Sequence, residues 1–181
     1  MNAEWIEYQL KDVGEIIGGA TPYTKDNSNY DGDIPWITPK DLSNHKYRRV
    51  FSGSRNITEK GLRSCSTKIM PKDTVLMSSR APIGYVAIAG TDLCTNQGFK
   101  SIVPNRNIVD PLFLYYCVLY NIENIKRLGT GTTFPEISGE VLEKYRVKLP
   151  NIEKQKTISR ILSSLDDKIE DNLEINDYLV A

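Results

Sequence analysis

The sequence predicts an α+β fold that ends in one long, coiled-coil-like helix. Short β-rich runs outnumber the helical stretches and do not alternate with them as a doubly wound sheet requires. Long loops rich in Gly, Asn, Asp, Ser and Thr separate those runs. From Ile158 to Ile169, apolar residues recur four, three and four apart, the period of a coiled-coil seam.

The elements follow in order. Leu10, Val13, Ile16 and Ile17 have helical spacing, so "LKDVGEII" (10–17) is expected to form about one to two turns of helix. "GGATPYTKDNSNYDGD" (18–33) has strong turn chemistry and little to bury, hence a long loop. "IPWI" (34–37) reads as a short buried strand, and "TPKDLSNHK" (38–46) as loop again. Thr58 is placed to cap a short helix, "EKGL". "TVLM" (74–77) and "YVAIA" (85–89) form a hairpin-like pair whose connection, "SSRAPIG" (78–84), carries an arginine. "FKSIV" (99–103) is a further strand.

The clearest helix begins after Asp110. Asp is a favoured N-cap, Pro111 suits the first turn, Lys126 and Arg127 close the last turn, and Gly129 stands beyond it. Its "LFLYYCVL" is apolar nearly all round, which places it inside the domain. "GTGTTFPEISG" (129–139) is a second polar loop, and Tyr145, Val147 and Leu149 alternate in a closing strand. Asn151 then caps the final helix. Two units follow from this: a domain over 1–150 and a helix over 151–181.

With 181 residues the chain suffices for one domain with a sizeable core plus an appendage. The N-terminus lacks an apolar leader, and the longest apolar run, "PLFLYYCVLY", is too short to span a bilayer, so a cytoplasmic protein without membrane attachment is expected. Cys65, Cys94 and Cys117 are scattered and odd in number, which disfavours a disulfide framework. With His45 the only histidine and no CxxC pair, no metal site is expected.

Zero net charge hides a split. Residues 151–181 hold 4 Lys/Arg against 7 Asp/Glu, whereas residues 38–80 hold 10 against 3, with His45 besides. The basic window is a candidate footprint for a polyanion; the alternative is a surface whose charges are balanced in space by the rest of the domain.

Fragments that imitate enzyme motifs lack their contexts. "DPLF" (110–113) resembles the acidic–Pro–Pro–aromatic loop of amino-methyltransferases, but Leu112 replaces the second proline and helix capping accounts for Asp110 and Pro111. "GTG" (129–131) follows a helix where a phosphate cradle follows a strand. "DDK" (166–168) lies on one helix, where Asp166 and Lys168 point apart. His45 has no evident triad partner. The chain alone is therefore expected to catalyse nothing.

Seven fragments together resemble a known family: "GGATPYT" (18–24), "GDIPWITPKDL" (32–42), "ITEKGL" (57–62), "LMSSRAPIGYVAIAG" (76–90), "CTNQGFKSIVP" (94–104), "GTTFPEISG" (131–139) and "LPNIEKQKTISRILSSLDDKIEDN" (149–172). In this order they look like the DNA specificity subunit of type I restriction–modification systems, specifically one target-recognition domain plus one conserved spacer helix. The resemblance implies a curved, mainly antiparallel β domain with a long helix projecting from it. It implies double-stranded DNA as ligand, and partner subunits for adenine methylation and for motor-driven restriction. S-adenosylmethionine, ATP and Mg²⁺ would belong to those partners. Family members usually carry two recognition domains whose helices pack antiparallel; with one of each here, a homodimer through the C-terminal helix is expected. The seam would comprise Ile158, Leu162, Leu165, Ile169, Asn172, Asn176 and Leu179, the asparagines fixing register.

Phosphate contacts give affinity and base-edge contacts give sequence preference. The polar loops supply candidates for both: Thr38, Lys40, Ser43, Asn44, His45, Lys46, Arg48 and Arg49; Ser78, Ser79 and Arg80; Thr130, Thr132, Thr133 and Phe134. Arg80 leads, because a guanidinium fork suits guanine and phosphate alike. Trp36, Pro82, Gly84, Asn96 and Gln97 are expected to act as scaffold. Two other readings remain open at this stage: a recognition domain from a fused methyltransferase–nuclease enzyme, or a protein-interaction module that binds no nucleic acid.

Overall fold

The computed structural model describes residues 4–80, 82–133 and 135–180, so Phe134 lies outside the described residues. The architecture is α+β. A five-stranded sheet runs β2 (Gly14–Gly18), β9 (Lys100–Pro104), β6 (Val75–Ser79), β7 (Ile83–Ala89) and β5 (Arg49–Val50), antiparallel except for β5 against β7. Two small sheets flank it: β1 (Ile6–Gln9) antiparallel to β10 (Arg146–Leu149), and β4 (Trp36–Ile37) parallel to β8 (Cys94–Thr95).

Strand β6 shows why the core has two halves. Successive side chains point to opposite faces. Val75 and Met77 join Ile88 and Ile102 beneath α4 (Pro111–Lys126), whose Leu114, Val118 and Ile125 are fully buried. Leu76 faces the other way, into a cluster with Ile37, Met70, Leu93 and Phe99. Helix α4 starts as expected: the Phe113 amide donates to Asp110 Oδ1 at 2.9 Å.

The short elements differ from the sequence-based expectation in four places. The 10–17 helix stops after one turn, α1 (Leu10–Val13), and Ile16 and Ile17 pass into β2, paired with Ile102 and Ser101 of β9. The loop at 18–33 contains a 3₁₀ turn at Asn27–Asn29 and then β3 (Tyr30–Ile34). "TPKDLSNHK" is partly helical, α2 (Pro39–Ser43), because Asp41 Oδ2 accepts from both the amide and the hydroxyl of Thr38 at 2.7 Å and closes the first turn. Another short helix, α5 (Gly139–Glu143), follows Ser138, whose hydroxyl accepts from the Val141 amide. The helix α3 (Glu59–Arg63), the 75–89 hairpin and β10 lie where expected.

Helix α6 (Ile152–Val180) is capped by Asn151, whose Oδ1 accepts from the Lys154 amide at 2.9 Å. It does not project freely. Gln155 is buried against the domain: its Nε2 donates to Ile108 O and Pro150 O, and its Oε1 accepts from the Asp110 amide. Tyr116 of α4 donates to Asp166 at 2.7 Å. Ile158 packs against the main core and Leu162 is half-buried, so these two seam positions are engaged within their own chain. Leu165, Ile169, Asn172, Asn176 and Leu179 are exposed.

Candidate nucleic-acid interface

Three loops distant in sequence are laced together at one end of the sheet. The Ala20 amide donates to Thr95 O, the Asn96 amide to Ile37 O, and Trp36 Nε1 to Ala20 O, each near 3.0 Å. Gly19 permits this approach, since a Cβ there would sit 2.2 Å from the carbonyl oxygens of Thr95 and Asn96. The result is an open hollow of about 580 Å³ lined by Thr38, Pro39, Lys40, Arg80, Asn96, Gln97 and Gly98.

Several of the lining residues are held from behind. Asn96 Oδ1 accepts from the Gly98 amide at 2.8 Å, and Gln97 Oε1 accepts from the Thr21 hydroxyl. Burial alone would raise the Asp41 carboxyl, but the hydrogen bonds from Thr38 and the Ser54 amide hold it below the usual carboxylate range, which anchors the helix turn carrying Lys40. Arg80 reaches Glu136 at 3.5 Å, and Glu136 also lies 3.7 Å from Lys100. The 130–136 turn closes beside it, through paired backbone hydrogen bonds between Thr130 and Glu136. Thr130, Thr132 and Thr133 are exposed along that rim.

The structure sorts the sequence-derived candidates into three places. Thr38, Lys40 and Arg80 meet in the hollow, with Thr130, Thr132 and Thr133 adjacent and Ser43, Asn44 and Lys46 exposed at and beyond the end of α2. Ser78 and Ser79 are fully buried: Ser78 Oγ accepts from the Tyr85 amide and donates to Pro82 O, while the Ser79 amide donates to Gly98 O. These serines shape the loop and do not face solvent. His45, Arg48 and Arg49 turn toward α6 or the sheet. His45 Nε2 lies 2.9 Å from Arg49 O, and Arg49 pairs with Asp73 at 2.8 Å.

Arg48 is the clearest departure. Its side chain, 15% exposed, is clasped by Asp166, Asp167 and Glu170 of α6, and its amide donates to Glu170 Oε1 at 2.7 Å. Burial would raise the Glu170 carboxyl, yet the Arg48 side chain and amide hold it below the ordinary value. The basic window is thus partly balanced in space: Arg48, Arg49, Arg55, Lys60, Arg63 and Arg80 have carboxylate partners. Among the described residues, Lys40, Lys46, Lys68 and Lys72 have no carboxylate within 4.0 Å. Asn96 and Gln97, expected only as scaffold, line the hollow. "CTNQGF" is polar between two buried runs, which marks a turn without revealing what the turn faces.

Among the described residues no group of three or more His, Cys, Asp and Glu side chains could hold a metal ion. No helix among them is long and apolar enough to cross a membrane.

Comparison with known proteins gives a consistent answer. Residues 2–178 match the family model for the type I restriction modification DNA specificity domain. The chain is 46% identical over 178 residues to the type I restriction enzyme MjaIX specificity subunit of Methanocaldococcus jannaschii, covering 97% of this chain and 41% of that protein. It is 29% identical to the EcoR124I/EcoR124II specificity subunit of Escherichia coli, over 87% of this chain and 40% of the relative. The fold matches the type I restriction–modification S subunit from M. genitalium with a TM-score of 0.73 at 19% identity, over 98% of this chain and 44% of that one. The chain therefore spans about two fifths of the length of these curated relatives.

Proposed function

This chain belongs to the type I restriction modification DNA specificity domain family, and from that premise we propose that it reads a double-stranded DNA sequence on behalf of catalytic partner subunits. Residues 1–150 form the reader and residues 151–181 the spacer helix. The hollow carries this reading: an uncompensated Lys40 and the Arg80 fork flank the polar side chains of Thr38, Asn96 and Gln97, the last two held by hydrogen bonds to Gly98 and Thr21. Cations there suit phosphates, and amide and hydroxyl groups suit base edges. Thr130, Thr132 and Thr133 extend the rim on one side, and Ser43, Asn44 and Lys46 on the other. Arg48, Arg49, Ser78 and Ser79 act behind the surface as positioning residues.

In this reading the chain performs no chemistry. Methyltransferase and motor–nuclease subunits bring S-adenosylmethionine, ATP and Mg²⁺, and the work is done in the cytoplasm. The bare seam of α6 pairs with a second copy, so that two readers face two halves of a DNA site. Closed twofold pairing is the commonest way to cover a self-complementary patch.

Fluorescence anisotropy with duplex DNA across a salt series tests the site. Lys40→Ala with Arg80→Ala is expected to weaken binding and to flatten the log–log salt slope by about 0.9 for each phosphate no longer neutralised. Affinity and slope both unchanged would place the DNA elsewhere.

A further inference from the structure

At the edge of the hollow one carboxylate bridges two bases. Glu136 Oε2 lies 3.5 Å from Arg80 Nη1, and Glu136 Oε1 lies 3.7 Å from Lys100 Nζ. Among the described residues neither base has another carboxylate within 4.0 Å. The backbone fixes this meeting. Arg80 and Glu136 form an isolated antiparallel bridge, the Ile137 amide donates to Ser79 O at 3.0 Å, and Thr130 closes the turn on Glu136. We propose that in the free chain Glu136 holds the place of a DNA phosphate between Arg80 and Lys100, so that DNA must displace it. The inference rests on the hollow as the DNA site and adds to it a residue that restrains binding to arbitrary sequence.

Three observations lead there. A carboxylate offers a guanidinium or an ammonium the same charged oxygen acceptors as a phosphate. The contacts are loose: the pairs that face inward close to 3.1 Å for Arg48 with Glu170 and 2.8 Å for Arg49 with Asp73. The pair is also open to solvent, with the Arg80 and Glu136 side chains 36 and 40% exposed. An exposed pair of this kind is weak enough to be exchanged, yet withholds up to about fivefold in affinity from a competing anion. Arg80 lines the hollow itself, so the exchange happens where the duplex arrives. Phosphate contacts carry no sequence information. A duplex of any sequence meets the carboxylate, but only one that also satisfies Thr38, Asn96 and Gln97 recovers what the displacement costs. Glu136 therefore widens the gap between right and wrong sequences.

Fluorescence anisotropy with a duplex of arbitrary sequence tests this on Glu136→Gln, with Glu153→Gln as the control for net charge. Glu153 is an exposed acid on α6, paired with Lys156. The turn is held through the Glu136 backbone, so the amide variant should keep the parent's circular dichroism and thermal unfolding. E136Q is expected to bind roughly two- to fivefold tighter than the parent. Its log–log salt slope should steepen by about 0.9 for each phosphate newly neutralised. E153Q should match the parent, and the gain should vanish in an Arg80→Ala/Lys100→Ala background. A gain that persists there, or weaker binding by E136Q, would overturn the proposal, as would no binding by either parent or E136Q. Unchanged binding by E136Q, with Lys40→Ala/Arg80→Ala still weakening the parent, would overturn it and leave the hollow as the DNA site. If neither variant changes binding, both readings fall.

Discussion

Helix α4 turns most of its apolar side chains into the domain, with Leu114, Val118 and Ile125 fully buried, whereas α6 leaves Leu165, Ile169 and Leu179 59, 56 and 78% exposed. The two helices touch, through Tyr116 and Asp166. They differ in what their faces were given to meet. Helix α4 has the sheet beneath it and α6 across it, so its hydrophobic face is satisfied within the chain. Helix α6 is held to its domain mainly by polar groups: Gln155 and Ser159 at its start, and the Arg48 clasp further along. Its remaining apolar face is a continuous stripe, and such patches on soluble proteins mark interaction surfaces. Polar anchoring sets the angle of the helix and leaves the hydrophobic face uncovered by its own domain.

The sharpest way to break this contrast is to truncate one side chain on each helix. Leu114→Ala on α4 should cost about 2–5 kcal/mol by leaving a cavity. Leu165→Ala on α6, measured at a concentration where the chain is monomeric, should fall within about 0.5 kcal/mol of the parent. Urea denaturation followed by circular dichroism reads both. Equal losses would mean that α6 is covered by its own domain.

Arg48→Ala probes the polar anchor. Removing the guanidinium leaves the half-buried Glu170 and Asp166 without their cation, and a loss of about 1–3 kcal/mol is expected, discounted for the exposed Asp167. Amide exchange should speed up along 163–173 and stay unchanged in α4. A smaller effect should appear on acidification. The Glu170 carboxyl is held in the folded chain below its ordinary value of 4.5. Its contribution is therefore fully present above 4.5 and fades as pH falls through the depressed folded value. Parent and Arg48→Ala stabilities should converge in that acidic window, and a constant difference throughout it would show that Glu170 does not carry the clasp.

What could be read in the chain follows the range of the forces involved. Helix α4 was legible because Asp110, Pro111 and the apolar run that follows are local signals, and the 75–89 hairpin was legible because its strands are neighbours. The end of α1 was not. Ile16 and Ile17 fit a helical period, but their backbone pairs with Ile102 and Ser101, far along the chain. Helix α2 was hidden because "TPKDLSNHK" is polar, although Thr38 and Asp41 had the spacing of a capping pair. In the site, residue types pointed to Thr38, Lys40 and Arg80, which the fold gathers into one hollow. Arg48 looked equivalent to Lys40 in the sequence, and only the return of α6 past the 45–51 segment converts it from a free cation into an internal clasp. Ser78 and Ser79 likewise sit in a polar loop motif yet end a central, fully buried strand.

Sedimentation equilibrium of the parent chain beside Leu165→Asp/Ile169→Asp puts the unfinished face of α6 to the most direct test. The parent should show twice the 20.5 kDa mass of one chain, and the double variant should fall to the single mass with its circular dichroism and thermal unfolding unchanged. A parent that stays at the single mass at high concentration, or a double variant that still dimerises, would contradict pairing through this helix.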